Sequence, residues 1–463
     1  MHTVLRKGNK IHFTSLGCAR NLVDTEVMLG IILKAGYEVT DDLQEADYLV
    51  VNTCGFLESA RQEGLDTIKE LLEERKEEAK LVVTGCMVQK HSHILKENFP
   101  EIHYLLGPGD LEKILEALEA SEEGEEITSA RSFLQWGQVP RKLATPGHYA
   151  YLKIAEGCAK RCSFCIIPTI KGPLKSKPQQ QVLREFKALL AHGVHEIILI
   201  AQDLGDYGKE KREKGALEAL LKEMLKIEGD YWIRLLYLYP DEITDELIDI
   251  MQCDSRLLPY LDMPIQHINS DILKAMRRKT NREHIIQTYE NLRRKVPECV
   301  IRTSLMVGFP GETDAQFEEL IQFVQDYPLD NIGVFKFSLE EGAHAAKLSG
   351  HLPEEVKQER YDRLMKTQME ILSERSARYI GQKLEVIVEN YHPDSEFLLQ
   401  GRFYGQCPDI DGSVIINDGR CVESFGQLYE VEITDVIEYD LIGKATRPLK
   451  PPCSLSHSPL QLI

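Results

Sequence analysis

Three cysteines fall within one short string, GCAKRCSFC, which sets Cys158, Cys162 and Cys165 at x3 and x2 spacing. A loop of this pitch can present three thiolates to one face of a cubane 4Fe–4S cluster and leave the fourth iron without a protein ligand. S-adenosylmethionine (SAM) can chelate such an iron, and an electron from the cluster then cleaves its sulfonium. A zinc site is the rival interpretation, but zinc requires a fourth ligand, and the nearest histidine, His148, lies across a predicted strand. We therefore predict that these three cysteines are catalytic and hold a SAM-cleaving cluster.

The sequence around this motif predicts an α/β fold. From residue 149 to about 372, apolar runs alternate with helical stretches, which indicates a partial or complete (βα) barrel. The motif follows the first of these strands, YAYLKIAEG, and barrel enzymes collect their chemistry at the C-terminal ends of strands. The predicted strands are residues 150–155, 196–201, 232–238, 259–263, 300–307 and 332–337.

Four polar residues stand at equivalent points of this pattern. Gln202 and Asp203 follow the apolar run EIILIA, and Gln266 and His267 follow YLDMP. Taken singly, residues of this kind are more often caps or turn residues than ligand contacts. As a ring around one cluster, they are predicted to contact SAM or the substrate.

A second set of cysteines shares a context rather than a spacing. Cys18, Cys54 and Cys86 each end a predicted strand, at residues 11–16, 48–52 and 81–84, with predicted helices between the strands. The C-terminal ends of neighbouring parallel strands converge on one crevice, so the three thiols can meet there and bind a second cluster. Strand geometry alone leaves a second interpretation equally open, namely three buried structural thiols. Five other cysteines show no pattern and are interpreted as ordinary free thiols: Cys253, Cys299, Cys407, Cys421 and Cys453.

The bulk composition narrows the possible settings. A chain of 463 residues is expected to form two or three domains, and eleven scattered cysteines do not form a disulfide framework. We find no signal peptide and no membrane-spanning run, and expect a cytoplasmic protein without a membrane partner. The net charge of −19 argues weakly against a nucleic-acid partner and favours a basic protein partner, although solubility alone also explains it.

After residue 378 the pattern changes to short alternating strands with Gly and Asp turns. Predicted strands at 383–389, 413–416 and 429–433 indicate a small antiparallel β-barrel. Residues 121–127 and 139–149 are interpreted as the boundary between the first two domains. The Pro- and Ser-rich end, residues 448–463, is predicted to be disordered.

Several strings from residue 10 to residue 447 resemble the methylthiotransferase family of radical SAM enzymes. This resemblance implies an N-terminal methylthiotransferase domain (9–125), a radical SAM core (144–375) and a β-barrel called a TRAM domain (378–447). It also implies two 4Fe–4S clusters, the auxiliary one on Cys18, Cys54 and Cys86. One departure from the common pattern is Ala19-Arg20, where Pro-Lys is commoner. The strings are SLGCARNLVDTEVMLG, EGCAKRCSFCIIP, GPLKSK, AQDLGDYG, WIRLLYLYP, LDMPIQH, VGFPGET and QCPDIDGSV.

Within this family the chain is similar to the branch that acts on an aspartate of small-subunit ribosomal protein twelve. The resemblance implies that one SAM donates a methyl group, and that a radical made from a second SAM, with an external electron donor, removes hydrogen from the aspartate β-carbon. Residues 380–447 hold five basic and thirteen acidic residues, a net charge of −8 that would repel RNA and attract a basic protein. A tRNA methylthiotransferase of the MiaB type and a non-catalytic iron–sulfur electron carrier or sensor are the alternatives.

Overall fold

The computed structural model describes residues 9–127 and 140–449. Cys453 and nearly all of the predicted tail lie outside these ranges. Within them, no helix is both long enough and apolar enough to cross a membrane. The domain bounds inferred from sequence stay a prediction.

The N-terminal part is a six-stranded parallel sheet in the order β2-β1-β3-β4-β5-β6, with helices on both faces. Alternate residues of the central strands face opposite layers: Leu49 packs in the core with α2 and α3, and Val50 in the core with α1 and α4. The elements are β1 (Lys10–Ser15), α1 (Ala19–Lys34), β2 (Glu38–Val39), β3 (Tyr48–Thr53), α2 (Glu58–Glu74), β4 (Lys80–Gly85), α3 (Cys86–Asn98), β5 (Ile102–Leu106), α4 (Ile114–Glu119) and β6 (Gly124–Glu126).

The acidic stretch 121–127, interpreted from sequence as a domain boundary, contains the last strand of this sheet, because β6 lies inside it and pairs in parallel with β5. Strand pairing uses backbone groups, so an exposed edge strand tolerates acidic side chains.

The central part is a second six-stranded parallel sheet, in the order β14-β13-β12-β11-β10-β7. It is an open sheet, so of the two alternatives the partial barrel is the one observed. The elements are β7 (Tyr149–Lys153), β8 (Ala155–Glu156), α5 (Ile167–Lys171), β9 (Lys175–Ser176), α6 (Gln179–Ala191), β10 (Glu196–Ile200), α7 (Ala216–Leu225), β11 (Trp232–Leu235), α8 (Asp245–Cys253), β12 (Leu257–Asp262), α9 (Ser270–Ala275), α10 (Arg282–Lys295), β13 (Val300–Val307), α11 (Asp314–Asp326), β14 (Asn331–Lys336) and α12 (Glu354–Ser376).

The C-terminal part is a closed five-stranded barrel in the order β15-β16-β17-β19-β18. Its pairs are antiparallel as expected, except that β17 and β19 pair in parallel, because β18 reverses the chain between them. Sequence reasoning found three of the five strands. The strands are β15 (Lys383–His392), β16 (Ser395–Phe403), β17 (Val414–Asp418), β18 (Gln427–Ile437) and β19 (Asp440–Pro448).

The two faces of the central sheet have different partners. One face packs against its own helices, and the other packs against α1 and against the barrel, through residues such as Val23, Ile387 and Cys407. A buried ion network fastens the barrel to this face: Glu196 accepts hydrogen bonds from Arg234 Nε (2.6 Å) and Arg402 Nη2 (2.8 Å). The barrel therefore covers part of the open sheet and is not an independent appendage.

We expect Glu196→Gln to lower the free energy of unfolding by about 3 kcal/mol, because it leaves Arg234 and Arg402 buried without their shared carboxylate. Glu246, which is about half exposed and pairs with Lys222, is the control, and Glu246→Gln should cost less than about 1 kcal/mol. Denaturant unfolding measures both. Equal losses in the two variants would contradict the role given to the buried network.

The loss of stability in Glu196→Gln should depend on pH. Burial opposes the charge of Glu196, but Arg234 and then Arg402 lower its pKa to about 2. A carboxyl group whose folded pKa lies below its unfolded value stabilises fully above the unfolded value, near 4.5, and loses that contribution as the pH falls through the folded value. The stability gap between wild type and Glu196→Gln should therefore be constant near neutral pH and shrink below about pH 4.5.

Candidate functional site

The three N-terminal cysteines meet at the C-terminal edge of the first sheet. They follow β1, β3 and β4, which are adjacent in that sheet. Their turns touch: a Cβ added to Gly17, whose φ is +92°, would stand 2.8 Å from Cβ of Cys54, and one added to Gly55 would stand 2.7 Å from the carbonyl carbon of Cys86. The convergence expected from parallel strands is thus observed.

Asn21 of α1 ties these three turns together. Its side-chain amide donates to the carbonyls of Leu16 (3.2 Å) and Thr53 (3.0 Å), and Cys86 Sγ donates to its Oδ1 (3.6 Å). Each turn that carries a cysteine is therefore bound to the first turn of α1.

The second triad lies in the loop between β8 and α5. Cys165 N donates to the carbonyl of Cys162 (3.1 Å), which closes a tight turn, and the hydroxyl of Tyr239 contacts Cys162 Sγ. Cys158 Sγ accepts from the backbone N–H of Lys160, and Cys165 Sγ accepts from that of Ile167, both at 3.4 Å. The backbone is thus arranged to solvate sulfur.

Burial and local charge set the acidity of these thiols. Burial raises the pKa of Cys158 to about 11 and those of Cys86 and Cys165 to about 12, and it also raises the pKa of Cys54. Cys18 differs: burial again opposes its charge, but Arg20 and two backbone N–H groups bring its pKa below the usual value. Metal binding requires the thiolate form, so it would release protons from the thiols whose pKa is raised.

The spacing of the sulfurs separates the metal alternatives. Three sulfurs bound to one zinc lie about 3.8 Å apart, given Zn–S bonds of about 2.3 Å. Across residues 9–127 and 140–449, neither cysteine triad brings its three sulfurs within 4.8 Å of one another. The ten described cysteines are all free thiols. Both donor sets therefore fit a cluster, in which each cysteine binds a different iron, better than a single ion.

The two triads are neighbours. Cys86 of the first triad packs with Ile166 and Ile170, which follow Cys165 of the second. The N-terminal sheet and the central sheet thus present their C-terminal edges to a shared region.

A buried group of four charges connects the two cysteine sites, and we call it the Asp24 network: Asp24, Lys153, Glu156 and Lys171, each at most 4% exposed in its side chain. Asp24 of α1 pairs with Lys153 Nζ and with Lys171 Nζ (2.9 Å), and Glu156 pairs with Lys153 Nζ (2.7 Å). Burial acts against both lysine charges, but Asp24 and then Glu156 raise the pKa of each lysine. The network holds two positive and two negative charges, so it is neutral overall, and it lies between Cys18 and the second triad.

Two of the predicted contact residues, Gln202 and Asp203, lie at the cysteine loop. Gln202 Nε2 donates to Glu156, and its buried Oε1 has no hydrogen-bond partner in the described part of the chain. Asp203 is buried 3.2 Å from Lys160 Nζ, which belongs to the loop itself. Burial and then Asp206 raise the pKa of Asp203 to about 7, and Lys160 opposes that shift.

Asp203 belongs to an acidic group with the ligand atoms of Asp206 and Glu242, all within 4.8 Å of one another. The Lys160 ammonium already contacts all three, at 3.2, 3.2 and 2.7 Å. Lys209 also pairs with Asp206 (3.0 Å) and with Glu242, so the cations of this acidic group are two lysines. The Lys160 contacts hold the cysteine loop against the ends of β10 and β11.

The other two predicted contacts are placed differently. Gln266 adopts a positive φ of 71° and joins β13 through its backbone, with N donating to Ser304 O (2.8 Å). His267 is fully buried, accepts from Asn269 N at Nδ1 (3.0 Å), and has an unpartnered Nε2 within the described ranges. Burial and then Arg360 lower its pKa to about 3, so this ring is neutral. These partners lie outside the cysteine loop.

Sequence reasoning missed the residues that join the sites, above all Asp24 and the two lysines of its network. A charge inside an otherwise apolar strand, as in YAYLK, is the signal that could have found Lys153. Of the cysteines interpreted as ordinary thiols, Cys299 and Cys407 are buried in apolar cores, Cys253 is exposed and Cys421 is half-buried.

Three family models match the chain. The model described as "Uncharacterized protein family UPF0004" matches residues 10–107, the radical SAM superfamily matches 152–324, and the TRAM domain matches 380–446. The superfamily match implies a 4Fe–4S cluster and SAM.

Curated relatives match along nearly the whole chain. A ribosomal protein uS12 methylthiotransferase RimO from Protochlamydia amoebophila is 63% identical over 94% of this chain and 92% of its own length. Proteins of the same name from Chlamydia abortus (56% identical; 94% of this chain, 95% of the relative) and Bdellovibrio bacteriovorus (44%; 95% and 98%) are also similar.

Solved structures share the fold at low identity. The radical SAM methyltransferase TsrM from Kitasatospora setae, bound to tryptophan and a SAM analogue, superposes with a TM-score of 0.53 at 16% identity, over 71% of this chain and 73% of that one.

We expect Asp24→Asn to lower the free energy of unfolding by about 3 kcal/mol, because two buried lysines then share one carboxylate. The double variant with Lys171→Met should recover part of this loss, since it restores the charge balance. Asp66→Asn, on an exposed face of α2, is the control and should change stability by less than about 0.5 kcal/mol. Amide hydrogen exchange in α1 should rise in Asp24→Asn alone. Unchanged exchange there would show that the network does not hold α1 in place.

Proposed function

Because the chain belongs to the RimO family of ribosomal protein uS12 methylthiotransferases, we propose that it adds a methylthio group to the β-carbon of an aspartate in uS12, the small-subunit ribosomal protein twelve. The observation that carries this proposal is the identity that the chain shares with these relatives from the first sheet through the barrel. The chain is accordingly a radical SAM enzyme.

In this proposal Cys158, Cys162 and Cys165 hold one 4Fe–4S cluster, and Cys18, Cys54 and Cys86 hold a second. Backbone N–H groups that already point at sulfur in both triads support these assignments, because such hydrogen bonds favour the thiolate. When bound, the first cluster supplies the electron that cleaves SAM, received from an external donor, and the second supplies the sulfur that is transferred.

The protein's own groups position the reactants. The unpartnered Oε1 of Gln202, beside the cysteine loop, offers an acceptor to an amino group such as that of SAM. Asp203 contacts the same loop through its ion pair with Lys160. We propose Gln202 and Asp203 as SAM contacts. Gln266 and His267, which lie beside β13, stay proposed contacts of SAM or the substrate. The neutral ring of His267 can donate a hydrogen bond but carries no charge.

The barrel's charge supports a protein substrate. All five basic side chains between residues 380 and 447 pair with acids, so each one has a carboxylate that competes with phosphate for its charge. At the β15–β16 turn, Asp394 and Glu396 are exposed beside Phe397, which is 89% exposed. An acidic and aromatic tip of this kind suits a Lys- and Arg-rich chain. The pairs are Lys383–Glu430, Arg402–Glu389, Arg420–Asp418, Lys444–Glu432 and Arg447–Glu430.

The deciding experiment uses anaerobically reconstituted protein with SAM and a reductant, incubated separately with uS12 and with a tRNA pool. Mass spectrometry should find methylthio-aspartate in uS12 and no modified tRNA. Modified tRNA with unmodified uS12 would favour the MiaB-type alternative. Absence of 5′-deoxyadenosine would favour the electron carrier, since a carrier does not consume SAM.

The wild-type protein should bind about eight irons, and changing Cys158, Cys162 and Cys165 to Ala should leave about four while abolishing SAM cleavage. Iron analysis and chromatography of 5′-deoxyadenosine measure the two effects. A variant with Cys253 and Cys421 changed to Ala is the matched control and should keep all its iron. Continued SAM cleavage by the triple variant would refute this ligand set.

Changing Cys18, Cys54 and Cys86 to Ala should also leave about four irons, but a different activity should be lost. SAM cleavage should persist while methylthio transfer to uS12 disappears, because the two triads lie on separate sheets with separate tasks. Loss of all iron in this variant would instead indicate one shared cluster.

A further inference from the structure

Arg20 reaches from the N-terminal part of the protein to the edge of the central sheet. It is the second residue of α1 and stands two residues after Cys18. Its Nη1 donates to the carbonyl of Ala201 (2.9 Å), and its guanidinium carbon lies 4.9 Å from the ring centre of Tyr237. Ala201 and Tyr237 follow β10 and β11, so the guanidinium is fixed at the edge that carries the second triad.

The position of Arg20 brings its charge near both cysteine sites. It stands two residues after Cys18, and its hydrogen-bond partner Ala201 directly precedes Gln202, which binds Glu156 beside the loop of the second triad. Arg20 is therefore a cation between the two proposed clusters.

This cation has no carboxylate partner within the described ranges. No Asp or Glu oxygen in residues 9–127 or 140–449 lies within 4.0 Å of it, and the bond to Ala201 uses one of its five N–H groups. Four arginines buried elsewhere in the described part of the protein are paired with acids, namely Arg141, Arg234, Arg360 and Arg402. Arg278 is the exception: it is buried without an acidic partner among the described residues, lies 3.8 Å from the ring centre of Tyr239 and donates to the carbonyl of Pro264. Arg20 differs from Arg278 in its position, because it stands two residues after Cys18 and also contacts the edge of the central sheet.

The proposed reaction brings a carboxylate to this place. Hydrogen is removed from the aspartate β-carbon by a radical made at one triad, and the methylthio group arrives from the other, so the β-carbon must lie between the triads. The carboxyl carbon is one bond away. A carboxylate withdrawn from water requires a charged or hydrogen-bonding partner, and a guanidinium matches its two oxygens geometrically.

We propose that Arg20 binds the side-chain carboxylate of the substrate aspartate and thereby selects an acidic residue for modification. This inference rests on the proposed function, since it assumes a protein aspartate as substrate. Arg20 is then the specificity-determining residue of a site whose other walls are the two cysteine triads.

The test compares uS12 with a variant in which the target aspartate is replaced by asparagine, and measures the affinity of the reconstituted protein for each by calorimetry without SAM. Wild type should bind the aspartate form at least about tenfold more tightly, the range expected for a charged hydrogen bond. Arg20→Met should weaken binding of the aspartate form by a similar factor and leave the asparagine form unchanged. Arg20→Lys should keep much of the preference, and Arg184→Met, on the exposed face of α6, should keep all of it.

Iron content is measured in parallel, because Arg20 could serve a cluster and not the substrate. Loss of iron or an altered cluster spectrum in Arg20→Met, with no change in the preference for aspartate, would overturn the proposal. Equal affinity of wild type for the two uS12 forms would also overturn it, without any enzyme variant. If wild type neither binds nor modifies uS12, the proposed function itself fails, which is a distinct outcome.

Discussion

The pairing of Asp24 with Lys153 and Lys171 fixes the relation between the two halves of the site. Apolar packing also joins the two parts, through Cys86 against Ile166 and Ile170 and through Val23 of α1 against the central sheet. The Asp24 carboxylate adds a directional contact, because it lies on α1 while its lysines flank the second triad on both sides. Buried charges cannot separate without losing their partners in a medium of low polarity, so the contact between α1 and the central sheet is rigid.

The ion pairs of Asp24 depend in turn on how the open central sheet is covered. A closed barrel would fill its interior with its own side chains, whereas this six-stranded sheet leaves one face to be covered by other parts of the chain. Helix α1 covers one part of that face and the C-terminal barrel another. The buried Glu196, shared by Arg234 and Arg402, holds the barrel there. Both outer parts therefore pack on the same side of the central sheet.

Sequence reasoning succeeded where backbone rules decide the outcome and failed where side chains from distant segments meet. Cys18, Cys54 and Cys86 could be brought together because parallel strands end at one edge, whatever their separation in sequence. Asp24 could not be found in this way, because a charged residue in a helix usually faces solvent. Asp411 shows the same limit: it counts among the barrel's acids, yet its side chain is 2% exposed and binds the Tyr260 hydroxyl (2.7 Å).

Part of the barrel's negative charge is buried. Asp411 and Glu389 are engaged inside the protein and contribute little to the field that a partner meets. The features that favour a protein substrate are instead the acids of the β15–β16 turn, which face solvent, and the pairing of the basic side chains with acids. Exposed pairs such as Arg420–Asp418 are weak, so pairing adds to the effect of the negative net charge in lowering the barrel's attraction for phosphate. Arg20 matters because no Asp or Glu oxygen of the described residues lies within 4.0 Å of its guanidinium, although Glu156 acts on its charge from farther away.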